Sequence, residues 1–234
     1  MLPLEVKAAE IRRRGKRLIG PVDLTLKGEG TTIVIGPNGS GKTTLLRMLH
    51  GIERLSAGEM CWVSGLEAAR RRQAFVFQTP VMMRRSVLDN IAFPLRLNGV
   101  TQREARARAG DWVGRVGLAG KEALPARVLS GGERQKLALA RALIRDPEVL
   151  FLDEPCASLD GRAVREIEAI LQDAVARQTR LVMSTHDMGQ ARRLATEVIF
   201  LLHGRIHEQA PAAAFFDAPE TAEAGAFLRG EIVE

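Results

Sequence analysis

The stretch Gly36-Pro37-Asn38-Gly39-Ser40-Gly41-Lys42-Thr43-Thr44 carries the strongest chemical signal in this 234-residue chain. Glycines let a backbone curl until successive N–H groups point into one concavity, and such a concavity holds anions. Lys42 adds a cation that reaches β- and γ-phosphates, and Thr43 adds a hydroxyl suited to Mg²⁺. A helix starting near Lys42 contributes unpaired N–H groups and its dipole. The loop predicts a nucleotide-phosphate site. By itself it does not choose between a kinase, a GTPase and a motor.

Two further clusters narrow the chemistry. Val149-Leu150-Phe151-Leu152-Asp153-Glu154-Pro155 places two carboxylates just past an apolar run. Ligands of parallel sheets bind at the carboxyl ends of strands. Asp153 is placed to hold Mg²⁺, and Glu154, one residue on, to face an attacking water. Hydrolysis of a γ-phosphate needs an oriented water, a base and cationic charge stabilisation. Leu129-Ser130-Gly131-Gly132-Glu133-Arg134-Gln135 opens a long periodic helix with Ser130 as its cap. That makes a second anion site at a helix start. One chain with one lysine-bearing loop has use for it if a second copy supplies the nucleotide, as in a two-fold dimer.

The elements that must position these residues follow from periodicity. Leu4 to Leu26 reads as strands with turns, and Lys27 to Gly30 as a turn. Thr32 to Ile35 is the strand before the phosphate loop, and the helix after it ends by Gly51. Glu59–Val63 and Ala74–Phe77 read as short strands, with Ala68–Gln73 as a polar connection. Helices are expected over 86–98 and 101–116, capped by Ser86 and Thr101 and stopped by Gly99 and Gly117. Strand 149–152, helix 161–177, strand 180–184, helix 187–195 and strand 197–202 follow. Such alternation predicts an α/β fold with a mostly parallel sheet. Helices alone fill the region after residue 85, which predicts a helical subdomain of about 85–145 inserted in the α/β core. The whole chain, 1–234, reads as one domain with a short helical tail over 211–234.

Bulk properties bound the setting. A formal charge of +6 admits a nucleic acid, an anionic surface or an acidic partner. No aromatic-interleaved basic patch accompanies it, so no nucleic acid is expected. Cys61 and Cys156 are isolated, which fits a reducing compartment, and Cys61 is expected in the core. The N-terminus lacks a secretory pattern, and no apolar run is long enough to span a bilayer.

The ordered set Gly36–Thr44, Gln78, Leu129–Glu133, Asp153-Glu154, Ser158-Leu159-Asp160 and His186 resembles the ATP-binding cassette (ABC) family over nearly the whole chain. The resemblance implies a P-loop NTPase core, an N-terminal antiparallel β-subdomain and a head-to-tail dimer sandwiching two ATP molecules with Mg²⁺. It implies that Ser130, Gly131, Gly132 and Glu133 of one copy meet the nucleotide held by Lys42 of the other. Glu154 would be the general base, His186 would contact the γ-phosphate, and Gln78 would contact Mg²⁺ and the water. Asp160 would bridge the dimer. An aromatic residue that stacks on adenine is missing upstream of the loop, where Ile11-Arg12-Arg13-Arg14-Gly15-Lys16-Arg17 stands. Arg13 is expected to lay its guanidinium plane on the base.

The resemblance also implies an importer's ATPase subunit at the cytoplasmic face of the membrane, working with a separate permease and, indirectly, a solute-binding protein. Pro80 to Ile91 would form the groove for a permease helix, with Met82 and Met83 as its docking surface. That stretch and the tail from Gly204 to Thr221 are similar to importers of oxyanions such as tungstate, molybdate or phosphate. The alternative is a cytosolic, non-transport ABC ATPase acting on nucleic acid or ribosomes.

Overall fold

A computed structural model of the chain describes residues 1–233. Two sheets organise it. The smaller is antiparallel, with β1 (Leu4–Arg13) between β2 (Lys16–Leu26) and β4 (Ala57–Trp62). The larger has the order β5-β6-β7-β3-β8-β9. Its strands are β3 (Thr31–Ile35), β5 (Gln73–Val76), β6 (Val149–Asp153), β7 (Arg180–Ser184), β8 (Glu197–Leu202) and β9 (Arg205–Pro211). All pair in parallel except β9, which runs antiparallel to β8. The predicted α/β fold with a mostly parallel sheet is therefore observed.

Alternation along the buried strands feeds two cores. Ile33, Ile35, Leu150 and Leu152 face one, and Val34, Val149 and Phe151 face the other. Side chains along a strand point to opposite faces in turn, so fully apolar runs mark strands covered on both sides. The second core packs the antiparallel sheet and α1 (Lys42–His50) on one face of the large sheet. The first packs the helices α3 (Val87–Leu97), α4 (Gln102–Arg115), α5 (Gly131–Leu143) and α6 (Gly161–Ala176) on the other. Ser86 and Thr101 cap α3 and α4 by accepting the amides of Asp89 and Glu104. The chain closes with α7 (Met188–Leu194), β8, β9, α8 (Ala212–Asp217) and α9 (Ala222–Leu228). Glu234, the last residue of the expected tail, lies outside the described residues.

Three expectations need correction. Residues 68–73 are not a plain connection: α2 (Leu66–Arg71) occupies most of them, anchored by buried Ala69. Cys61 is exposed, because β4 turns Trp62 inward and its neighbour outward. Residues 205–211, which carried no strand expectation, form β9, a strand mostly facing solvent.

Candidate functional site

Strand order explains why distant residues meet. In the order β5-β6-β7-β3, four adjacent strands present their carboxyl ends side by side. Gln78 follows β5, Asp153 and Glu154 end β6, His186 follows β7, and the phosphate loop follows β3. A cavity of about 570 Å³ is lined by Asn38, Gly39, Gly41, Lys42, Thr43, Thr44, Gln78, Glu154 and His186. Gly36, Pro37 and Ser40 belong to the same loop but do not line the cavity.

The loop is shaped by close backbone approaches. A Cβ on Gly36 would sit 2.1 Å from the carbonyl oxygen of Leu201, and Gly36 has φ +147°. Gly41, at φ 105°, is the N-cap of α1, whose first turn carries no acidic residue. That helix start is left to an anion. Lys42 Nζ donates to the carbonyls of Gly36 at 2.8 Å and Pro37 at 3.1 Å. Burial pushes the Lys42 ammonium below the usual lysine range, against the pull of Glu154 and Asp153.

The acids are held by a small network. Thr43 Oγ1 donates to Asp153 Oδ1 at 2.9 Å, and Ser184 Oγ donates to the same oxygen at 2.8 Å. Glu154 adopts φ 44°, a left-handed conformation uncommon outside glycine. Its amide donates to Ser184 O at 3.1 Å and to Ser184 Oγ at 3.0 Å. This turn re-aims the side chain, and Glu154 Oε2 accepts from Gln78 Nε2 at 3.3 Å and lies 3.1 Å from His186 Nδ1. Backbone strain of this kind persists where surrounding bonds over-determine it, and it clusters at working sites.

Ser130, Gly131, Gly132, Glu133 and Asp160 do not join this cavity. They line a separate one of about 580 Å³. There Ser130 and Glu133 form a capping box: Ser130 Oγ accepts the Glu133 amide, and Glu133 Oε2 accepts the Ser130 amide at 2.9 Å. Lys121 Nζ pairs with the other oxygen of Glu133. Asp160 Oδ1 caps α6 by accepting the amides of Arg162 at 2.9 Å and Ala163 at 2.8 Å.

A family description, ABC transporter, matches residues 19–157, more than half of the chain. The chain belongs to the ABC transporter family. It is an ATP-binding ATPase domain of that family. The cassette is 37% identical to the L-cystine transport system ATP-binding protein TcyN of Escherichia coli, over 97% of this chain and 98% of that protein. It is also 37% identical to the tungstate uptake system ATP-binding protein TupC of Peptoclostridium acidaminophilum, over 83% of this chain and 92% of that one. Its fold superposes with a TM-score of 0.79 on the ATP-binding cassette MJ0796, a dimer in a post-hydrolysis state bound to ADP and Pi. The identity there is 26%, over 89% of this chain and 98% of that one. Among the cassette's described residues, no helix is long and apolar enough to cross a membrane.

Two parts of the sequence reading stand apart from the cavity. Arg13 does not line it, and its Nη2 pairs with Glu53 Oε1 at 3.0 Å. Met82 and Met83 do not line the groove beside Gln78. Its apolar wall comes from Ile52, Phe75, Phe77, Phe93 and Leu97, while Met82 packs against the main core. Sequence reasoning missed Ser184, which holds the acids, and Lys121, which pairs with Glu133 of the signature stretch Leu129–Glu133. Ser184 stood beside the quoted His186. Lys121 carried no signal, since its partner lies 12 residues away.

Proposed function

We propose that the cassette is the ATP-hydrolysing subunit of an importer, acting as a head-to-tail pair of copies beneath a separate membrane permease. The observation that carries this reading is that the lysine-bearing loop and the Ser130–Glu133 helix start line two separate cavities of one chain. A second copy gives each half a counterpart. The dimeric state of the MJ0796 cassette supports this arrangement, and the transport names of the relatives favour it over a nucleic-acid or ribosome role.

Residues 1–234 act as one domain in this reading, with the helices of about 85–145 as an inserted subdomain that carries the signature. The loop amides and Lys42 bind the β- and γ-phosphates. Glu154 accepts a proton from water as the water oxygen attacks the γ-phosphorus. The bond to the β-phosphate oxygen breaks, leaving ADP and phosphate. His186 and Gln78 hold Glu154 and the water in line. Thr43 Oγ1, Asp153 and Gln78 present hard oxygen donors, the kind Mg²⁺ takes, and they would hold it. Among the described residues no group of three or more His, Cys, Asp or Glu forms a metal cage. That suits Mg²⁺, which is bound mainly through phosphates and water. When bound, the ion neutralises charge on the phosphate oxygens.

The permease contact falls in the groove of about 490 Å³ that includes Phe77, one residue before Gln78. A helix seated there acts on Gln78 and, through its amide, on Glu154. The cassette thereby sits peripherally at the cytoplasmic face, and a solute-binding protein works with it only through the permease. The cargo in this reading is an oxyanion such as tungstate, molybdate or phosphate. Uptake of labelled tungstate by cells lacking and regaining the cassette tests that point, and unchanged uptake of tungstate with lost uptake of cystine would refute it.

Glu154→Gln tests the core of the proposal. ATP binding is expected to persist, turnover to fall at least about 100-fold, and an ATP-dependent dimer to accumulate. Near-normal turnover would remove Glu154 as the base. For Arg13, titration of ATP and GTP against Arg13→Ala decides the base-stacking role, which unchanged affinities would end.

A further inference from the structure

The signature cavity holds two cations that the roles above leave unused. Lys136 and Arg162 line the same space as Ser130, Gly131 and Gly132. Both donate to one carboxylate: Lys136 Nζ to Glu166 Oε2 at 2.8 Å, and Arg162 Nε to Glu166 Oε1 at 2.9 Å. The two donors are not equivalent. The Lys136 side chain is 10% exposed and that of Arg162 is 85% exposed. Lys136 is also the leading cause of the lowered Glu166 pKa, ahead of Arg162. Glu166 therefore keeps a sheltered partner whether or not Arg162 stays.

An exposed ion pair four residues apart on a helix is worth a few tenths of a kcal/mol. A guanidinium so lightly held can leave for a stronger anion. Its two Nη groups have no protein hydrogen-bond partner among the described residues, and a planar fork of N–H donors fits phosphate oxygens. The other carboxylates of the cavity are already engaged. Glu133 takes Lys121 and the Ser130 amide, and Asp160 takes the Arg162 and Ala163 amides. Two helix starts, those of α5 and α6, open on the same space.

We propose that Arg162 is a nucleotide-contacting residue given in trans, its guanidinium reaching the phosphates of the ATP held in the partner copy's loop while Lys136 retains Glu166. This rests on the two-copy reading above.

The test measures the ATP concentration that half-dimerises the full chain, by sedimentation, in the Glu154→Gln background. Arg162→Ala is expected to raise that concentration about tenfold, the scale of one lost hydrogen bond to a charged group. Arg162→Lys should fall between the two. Glu166→Gln, which frees Arg162, should leave it unchanged or lower. ATP affinity measured on monomer, at protein concentrations below dimerisation, should be the same in all variants. Dimerisation of Arg162→Ala at the reference ATP concentration overturns the proposal while leaving the two-copy reading intact. So does a Glu166→Gln variant as impaired as Arg162→Ala, which would make the pair structural. If the Glu154→Gln chain stays monomeric with ATP, the two-copy reading itself fails and the trans contact fails with it.

Discussion

Ser184 Oγ donates to Asp153 Oδ1 at 2.8 Å, and the same oxygen accepts the backbone N–H of Glu154 at 3.0 Å. One fully buried hydroxyl thus fixes two adjacent acids that face different tasks. In Ser184→Ala, Asp153 Oδ1 keeps only the Thr43 hydroxyl among these two donors. Leaving a buried acceptor short of a partner costs about 1–3 kcal/mol. The expected result is a kcat lowered about tenfold with KM for ATP within about twofold. Steady-state kinetics and thermal denaturation check both halves, and an unimpaired kcat would show that the strand ends hold the acids unaided.

Glycine is required unequally along the loop. At Gly36 a methyl group meets the Leu201 carbonyl at 2.1 Å, whereas at Gly39, with φ +81°, nothing lies within 4 Å. Gly39→Ala carries only the left-handed backbone cost, about 1 kcal/mol. Gly36→Ala must also push the loop away from β8. Calorimetric titration is expected to show ATP affinity lowered at least about tenfold by Gly36→Ala and changed far less by Gly39→Ala. Equal losses would contradict this account.

Glu133 is held at a pKa of about 2, from an ordinary 4.5, first by Lys121 and then by the Ser130 amide. Its folded-state pKa is depressed, so the stability it contributes is present in full above pH 4.5 and is lost as pH falls toward 2. Lys121→Ala should flatten the acid limb of a plot of Tm against pH in that window, lowering Tm most above pH 4.5, with the two curves converging toward pH 2. A limb of unchanged slope would assign the acid sensitivity elsewhere.

His50 behaves in the opposite chemical sense but with the same sign of pH dependence. Its ring stands edge-on to Phe75 at 5.5 Å and Phe151 at 5.6 Å, and its buried Nδ1 has no partner. Burial lowers its pKa from 6.5 to about 4. The unfolded chain takes up the proton first as pH falls, so stability is complete above pH 6.5 and declines down to about pH 4. The full effect is at most about 3 kcal/mol. His50→Leu should remove that slope, raising Tm relative to the parent at pH 5 more than at pH 7.5. A parallel offset at both pH values would exclude His50 as the source.

Residue types at fixed spacing were the legible part of the sequence. Gly36–Thr44, Leu129–Glu133 and Asp153-Glu154 each need a particular chemistry in a short window. The fully apolar run at 149–152 likewise marked a strand covered on both faces. Strand order was not legible, because nothing local to Thr31–Ile35 states that its neighbours are β7 and β8. Cys61 was misplaced because an apolar run at a sheet edge reads like one in a core. The six residues of α2 are too few to show a helical period. Lys121 meets Glu133 only once a loop folds back, so spacing could not reveal it.

The pairing of β3 has a consequence for how the chain comes off the ribosome. The strand that carries the phosphate loop borders only β7 and β8, pairing Thr31 with Leu181 and Thr32 with Glu197. Until residues 180–184 have emerged that strand has no sheet neighbour, and its second side stays open until 197–202 follow. A chain cut before residue 180 therefore carries every glycine of the loop without either of the strands that flank β3 in the sheet.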